Sequence, residues 1–222
     1  MTIHVDHFSD ILCIWAYVAQ IRMDELKQEF GEQVHIDHHV FPVFGDVPCK
    51  MERQWNSRGG IDAYNKHVQS VAAKFDHINI HPTVWSDVQP SSSMPAHLYL
   101  SAIQELIKSD ALECEAFDLA INAFRQAFFV EAKDISNTAV LHGVLSDAGF
   151  KLSDIQQTID DGTAFAKLER DIQLSQTKHV KASPTLIFNE DRQRLTGNVG
   201  YKIIQANIRE LIDSPVDSSS WC

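Results

Sequence analysis

Cys13 is the residue of this sequence best placed to do chemistry, and Ala16 stands three positions after it in DILCIWAYVAQ, residues 10–20. A cysteine at the start of a helix lies beside unpaired backbone N–H groups and the positive end of the helix dipole. Both favour the thiolate, which is the reacting form, so we expect a lowered pKa for Cys13. A cysteine at position 16 would complete a Cys-x-x-Cys redox motif, but the alanine leaves Cys13 alone. The alternative interpretation is a cysteine that only fills the core.

Pro184 provides the second candidate, because it opens the apolar segment ASPTLIF, residues 182–188. Proline cannot donate to a strand ladder and therefore lies at a strand start. The bond before proline is the type for which the cis form costs little, about 0.5–1 kcal/mol. We predict a cis bond between Ser183 and Pro184 that faces Cys13 and offers the Ser183 backbone to a docked substrate. A trans proline that simply opens a strand is the alternative.

The hydrophobic pattern predicts the elements that bring these two segments together. Residues 3–8 and 34–44 are typical of strands, and residues 9–31 between them carry a helical apolar stripe that ends at Gly31. This β-α-β order implies a parallel strand pair. The segment GDVPCKMERQWNSRGG, residues 45–60, is predicted to be a connection that contains helix breakers, and the middle of the chain, about residues 50–178, is otherwise predicted to be almost entirely helical. The chain then continues with two short strands and a terminal helix.

The order β-α-β, helical block, β-β-α predicts an α/β protein with a thioredoxin fold and a helical insertion of about 110–130 residues. The two chain ends form one sheet only if the helical block is inserted between them. Residues 1–49 and 179–214 are predicted to form the thioredoxin-like domain, residues 50–178 the inserted helical domain, and residues 215–222 a flexible tail.

Composition and charge exclude two classes of partner. The 222-residue chain is 44% hydrophobic and carries a net charge of −11, without a Lys/Arg tract. Nucleic acid and anionic membranes both require concentrated positive charge, so neither is expected to bind. MTIHVDHFSD at the N-terminus has no signal-like region, and no apolar run approaches the ~20 residues that span a bilayer. We therefore predict a cytoplasmic protein.

Four cysteines in a chain of this length do not make a disulfide framework, and in a reducing cytoplasm they are expected to be thiols. Cys49 is predicted in the loop after the second strand and Cys114 in the packing of a helix, both without a chemical role. Cys222 ends the polar tail SPVDSSSWC. It is either a candidate resolving thiol for a mixed disulfide on Cys13 or an uninvolved tail residue.

The eleven histidines raise the question of a metal site. In HIDHH, alternation along a strand puts His35, Asp37 and His39 on one face and His38 on the other. Neither this stretch nor HINIH, residues 77–81, has a common zinc spacing, so no metal site is predicted.

Three segments, FSDILCIWAY, ASPTLIFN and GNVGYKIIQANIREL, resemble the DsbA-like branch of the thioredoxin superfamily. That branch includes FrnE-type oxidoreductases, kappa-class glutathione transferases and 2-hydroxychromene-2-carboxylate isomerases. FrnE-type members carry an acidic residue followed by Cys-x-Trp-Cys-Tyr, which here reads Asp10, Cys13, Trp15, Ala16 and Tyr17. In the isomerase and kappa branches the first cysteine is typically a serine that stabilises the glutathione thiolate.

The resemblance implies a catalytic Cys13 and a surrounding site that binds a thiol or disulfide substrate, or glutathione as a co-substrate, with no tightly bound cofactor. The residues implied to line this site are Asp10, Trp15, Ser183, Pro184, Gly197 and Asn198. The glutathione branch typically has an Asp-containing turn before the last helix. This chain has Gly197 and Asn198 there, and no acid.

Three hypotheses follow. In the first, the protein is a thiol-disulfide oxidoreductase in which Cys13 performs monothiol exchange with glutathione or a protein thiol. In the second, it is a glutathione-dependent isomerase or transferase with Cys13 at the serine position. In the third, it is a non-catalytic thioredoxin-fold binding protein. By analogy alone, a homodimer is expected.

Overall fold

A computed structural model describes residues 2–214 and contains a mixed four-stranded sheet. The strands are β1 (Ile3–Ser9), β2 (Val34–Val40), β3 (Thr185–Phe188) and β4 (Gln193–Thr196). Their order across the sheet is β2-β1-β3-β4. β1 and β2 are parallel, whereas β3 is antiparallel to both β1 and β4. This arrangement confirms the predicted thioredoxin-type fold.

The helices within residues 2–214 connect and cover these strands. They are α1 (Ile14–Phe30), α2 (Val47–Trp55), α3 (Gly60–Ala72), α4 (Met94–Lys108), α5 (Ala116–Arg125), α6 (Thr138–Asp147), α7 (Leu152–Asp160), α8 (Thr163–Thr177) and α9 (Tyr201–Asp213). A π-helical turn, Gln126–Val130, follows α5 directly. Helices α2–α8 all lie between β2 and β3 in the chain, as the predicted helical insertion requires.

The helix α1 belongs to two hydrophobic cores. Ile14, Ala16 and Val18 pack within the large core built mainly by helices α2–α8. Met23 and Leu26, further along the same helix, pack in a smaller core with the sheet and α9. The helix therefore joins the helical block to the sheet, and its N-terminal end lies where the two meet.

The sheet register places the two predicted site segments side by side. Phe8, near the end of β1, pairs with Thr185, the first residue of β3. Because these strands are antiparallel, the chain leaving β1 towards Cys13 and the chain entering β3 at Pro184 meet at one end of the sheet.

Two sequence expectations in the helical block were wrong. Residues 47–55, expected to be an irregular connection, form α2, because Pro48 falls in the first turn, where proline starts a helix instead of breaking it. The Asp46 carboxylate caps this helix by accepting the Cys49 N–H at 2.9 Å. Cys49 thus lies in a helix, and Cys114 is exposed just before α5 instead of packed within it.

Within residues 2–214, no helix combines the length and the apolar character that crossing a bilayer requires.

Candidate active site

Cys13 is the N-cap residue of α1, and its sulfur lies next to the bond before Pro184. Its carbonyl accepts hydrogen bonds from the N–H groups of Ala16 at 3.1 Å and Tyr17 at 3.0 Å, which begin the helix. The sulfhydryl group donates to the Ser183 carbonyl oxygen at 3.3 Å. The Ser183–Pro184 bond is cis, as predicted. The sequence thus brings together two residues that are 170 positions apart.

The expected lowering of the Cys13 pKa was wrong. The side chain is only 7% exposed, and its burial raises the pKa of the thiol above its ordinary value. The Ser183 side chain and the N–H groups of Ala16 and Trp15, which stabilise the ionised sulfur, oppose this effect, and the negative charge of Asp10 adds to it. Because desolvation outweighs the helix N-terminus, the resting state at neutral pH is a thiol.

Asp10 was predicted to contact a ligand, but it is fully buried and its oxygens are occupied. Oδ1 accepts the Leu12 N–H at 2.8 Å. Oδ2 accepts the Phe44 N–H at 2.8 Å and the Ser93 hydroxyl at 2.9 Å. The Asp10 N–H donates to Ser183 Oγ at 2.9 Å. Asp10 is therefore a positioning residue that fixes the Cys13 loop against β3, the segment after β2 and the start of α4.

His97 and Ser93 belong to this buried network and were not identified from the sequence. His97 is fully buried, its Nε2 accepts the Ile11 N–H at 3.1 Å, and burial lowers its pKa, so the imidazole is neutral. Ser93 is the N-cap residue of α4, and its hydroxyl donates to Asp10 Oδ2. The serines and the histidine of SSSMPAH, at the start of α4, are visible in the sequence. Nothing in the local sequence indicates that they contact residue 10.

The predicted substrate wall, Trp15, is partly buried on the first turn of α1 and contacts Phe75 edge-to-face, with 6.5 Å between ring centroids. One residue beyond Ala16, Tyr17 stacks on Phe129 with centroids 4.8 Å apart. Both rings lie beside the Cys13 end of the helix, and a role for Trp15 in substrate contact stays a prediction.

Gly197 and Asn198 lie close to the cis bond. Gly197 has a φ of +81°, which favours glycine, and its N–H donates to the Pro184 carbonyl at 2.8 Å. Asn198 is exposed, and its Oδ1 accepts a hydrogen bond from Arg22 of α1 at 2.7 Å. Pro184 and Gly197 also line a small pocket with Ala19 and other side chains from α1 and β4.

Within residues 2–214, the cysteines other than Cys13 form no disulfide. Cys49 and Cys114 are free thiols, as is Cys13. Cys222, predicted as a candidate resolving thiol, lies outside the described residues. Among residues 2–214, no three His, Cys, Asp or Glu side chains are arranged to hold a metal ion.

The fold and the Cys13–cis-Pro184 pair are those of a thioredoxin-type protein, and sequence comparison gives the family. The profile of the DSBA-like thioredoxin domain matches residues 4–209, nearly the whole chain. The protein belongs to this family. No curated protein matches the chain in sequence.

Several solved structures share the fold at low sequence identity. A probable DsbA oxidoreductase from Streptomyces coelicolor superposes with a TM-score of 0.72 at 14% identity, covering 99% of this chain and 94% of that one. A 2-hydroxychromene-2-carboxylate isomerase gives 0.65 at 17% identity, covering 98% and 100%. The cytosolic disulfide reductase DsbM from Pseudomonas aeruginosa gives 0.63 at 12% identity, covering 96% and 98%, and has also been solved with GSH.

Proposed function

We propose that this protein is a monothiol thiol-disulfide oxidoreductase that acts through Cys13. The observation that carries this proposal is the 3.3 Å contact between the Cys13 sulfur and the carbonyl oxygen of Ser183, beside the cis bond to Pro184. A thiol at the N-terminus of α1 next to this bond would bring a substrate disulfide to both a nucleophile and the backbone carbonyl of Ser183.

The exchange proceeds in two balanced steps. The Cys13 thiolate attacks one sulfur of a substrate disulfide, the S–S bond breaks, and one half leaves as a thiolate while the other half stays on Cys13 as a mixed disulfide. A glutathione thiolate then attacks this mixed disulfide, which regenerates the Cys13 thiolate and releases oxidised or mixed glutathione disulfide. Ala16 has no sulfur, so the second step requires an external thiol.

The Ser183 carbonyl supports substrate docking in this scheme. In the resting protein it accepts the Cys13 S–H group. Ionisation of Cys13, or its conversion to a mixed disulfide, removes this donor and frees the oxygen for an N–H group of glutathione or a peptide. Substrate binding and loss of the Cys13 proton are therefore coupled at one atom.

A reduced glutathione pool is the environment that this mechanism needs, so we place the activity in the cytoplasm. The substrate is a protein or small-molecule disulfide. Glutathione acts as a co-substrate and not as a bound cofactor.

A glutathione-dependent isomerase or transferase is the second candidate, and one observation favours it. The buried Cys13 keeps its proton at neutral pH and donates a hydrogen bond. A serine hydroxyl has the same capability, and serine occupies this position in the isomerase branch. In that case Cys13 would hold the glutathione thiolate by hydrogen bonding and would never become oxidised.

Replacement of Cys13 separates these candidates. We expect Cys13→Ser to abolish reduction of a glutathione mixed disulfide and to leave no trapped adduct in mass spectrometry. Cys114→Ser is the matched control, because Cys114 is exposed and lies beside Lys27 and Val34, at the opposite end of α1 from Cys13. Full exchange activity in Cys13→Ser would refute the proposal. Isomerase activity retained in Cys13→Ser, without exchange in either protein, would establish the second candidate. Glutathione binding or turnover in neither protein would leave the binding-protein hypothesis.

A further inference from the structure

Arg125 is a fully buried arginine without a counter-ion. It is the last residue of α5, is 0% exposed, and precedes the π-helical turn Gln126–Val130. One guanidinium nitrogen, Nη1, donates to Gln20 Oε1 of α1. The other two, Nε and Nη2, have no hydrogen-bond partner. Across residues 2–214, no carboxylate forms an ion pair with this guanidinium.

A buried cation with unpartnered donors is strongly unfavourable unless an anion compensates it. A neutral amide oxygen, such as that of Gln20, satisfies only one donor and none of the charge. The arrangement therefore implies an anion that is absent from the resting protein and present at another stage of its action.

The packing of α5 on α1 shows which face of α1 the Arg125 guanidinium contacts. Lys27 of α1 pairs with Asp118, Gln20 bonds Arg125, and Tyr17 stacks on Phe129. Residue numbers fall along α1 as they rise along the α5 segment, so the two run antiparallel. Positions 13, 17, 20 and 24 follow one another on one face of a helix, and the face that Arg125 contacts begins with Cys13.

We propose that Arg125 is the electrostatic partner of the Cys13 thiolate, compensating the negative sulfur that forms when the thiol loses its proton to solvent and again when the mixed disulfide is resolved. The inference depends on the proposed function only in that Cys13 reacts as an anion. It gives a buried cysteine a route to ionisation that the helix N-terminus alone does not supply.

Arg125 and Cys13 are within electrostatic reach of each other, although the charge with the largest effect on Cys13 is that of Asp10. Burial lowers the pKa of Arg125 to about 10, and among the anionic groups that oppose this shift Cys13 has the largest effect, followed by Tyr17 and Asp24. The guanidinium thus stays charged at neutral pH and is sensitive to the charge state of Cys13.

Other titratable groups also face these two residues. Asp10, Lys50 of α2 and Tyr64 of α3 are within electrostatic reach of Cys13. Burial lowers the pKa of Lys50, which makes Lys50 the competing cation, whereas burial raises the pKa of Tyr64 well above its ordinary value.

The remaining groups near Arg125 are three buried histidines, and burial is the largest effect on each. It lowers the pKa of His7 to about 3, and it also lowers the pKa values of His38 and His97. All three imidazoles are therefore neutral above pH 7 and do not titrate in the range where Cys13 ionises.

The test is the pH midpoint of Cys13 alkylation, followed on the Cys13 peptide by mass spectrometry. We expect Arg125→Met to raise this midpoint by about one unit, a roughly tenfold slower reaction at pH 8, with recovery at higher pH. Arg125→Lys should restore most of the reactivity. Arg53→Met removes a positive charge from an exposed site on α2 and should change nothing. Lys50→Met should have a smaller effect than Arg125→Met.

A second variant keeps Arg125 and its packing. Gln20 donates to the Asp24 carboxylate at 3.2 Å, so Gln20→Glu combined with Asp24→Asn moves one negative charge a helical turn towards Arg125 at constant net charge. This double variant should raise the Cys13 midpoint and the melting temperature together, because the buried cation gains a permanent counter-ion. Asp24→Asn alone should not raise the midpoint.

Unchanged midpoints, within about 0.2 units, in both Arg125→Met and the double variant would overturn the inference, as would a full shift in Lys50→Met alone. The double variant still decides if Arg125→Met does not fold. Failure of the proposed function has a different signature: the midpoint responds to Arg125, but Cys13→Ser retains full exchange.

Discussion

Replacement of Asp10 offers the sharpest test of how the site is held together. In Asp10→Ala, the buried N–H groups of Leu12 and Phe44 lose their acceptor, whereas the hydroxyl of Ser93 can rotate. Each unsatisfied buried N–H costs about 1–3 kcal/mol. Removal of a buried charge offsets part of this, so we expect a loss of about 2–4 kcal/mol out of a typical total of 5–15 kcal/mol.

For a chain of this size, that loss corresponds to a melting temperature lower by about 4–16 °C, measurable by circular dichroism. Asp10→Asn keeps one oxygen and leaves one of the two N–H groups unsatisfied, so it should lose about half as much. Asp76→Asn, at an exposed turn, is the matched control and should leave the melting temperature unchanged.

The Asp10→Asn variant has a second measurable effect: its stability should fall while the reactivity of Cys13 rises. The negative charge of Asp10 raises the pKa of Cys13, so its removal in Asp10→Asn should lower that pKa and speed alkylation at pH 7.5. Local loosening also speeds alkylation of a buried thiol, so the readout is the pH midpoint of the reaction and not its rate at a single pH. The positioning role would be refuted if Asp10→Ala had the melting temperature of the wild type. It would also be refuted if the pH midpoint of Cys13 alkylation rose in Asp10→Asn.

Two further predictions concern the surroundings of the site. Gly197→Ala should lower the free energy of unfolding by about 1 kcal/mol in a denaturant titration, because alanine is strained at the left-handed φ of this position. The added Cβ would meet open space, so no steric clash adds to this loss. An unchanged free energy of unfolding would contradict this interpretation. For His39, burial is outweighed by hydrogen bonds to Asp171 and Asp6, which raise its pKa, so its stabilisation is complete below about pH 6.5 and is lost as the pH rises through the raised value. His39→Gln should flatten the fall in stability between about pH 6 and 8, and an identical slope in both proteins would contradict the assignment.

The parts of the site that sequence predicts are those set by local pattern and chain order. The β-α-β and β-β-α ends, the cysteine at the start of α1 and the proline before β3 are all visible in short segments, and together they predict the Cys13–Pro184 contact. Helix α2 was missed because Pro48 was taken as a breaker, although a proline in the first turn is compatible with a helix.

The rest depends on tertiary environment. The raised pKa of Cys13 comes from burial by side chains distant in sequence, which no local rule provides. Asp10 looks like a ligand-binding acid beside a cysteine, and only the positions of Phe44 and Ser93 show that it is occupied. Arg125 is unremarkable in an amphipathic segment, where arginine is expected at the surface, so its burial against α1 is information that only the structure contains.

The strand order has a consequence for assembly. β2 and β4 are the two edges of the sheet, and an unpaired edge is a template on which another chain can add a strand. β2 exposes His35 and Asp37 side by side along this edge, and β4 is only four residues long. Ionisable side chains and short length both discourage edge-to-edge association and fibril growth. A homodimer of this protein should therefore not extend the four-stranded sheet that residues 2–214 form.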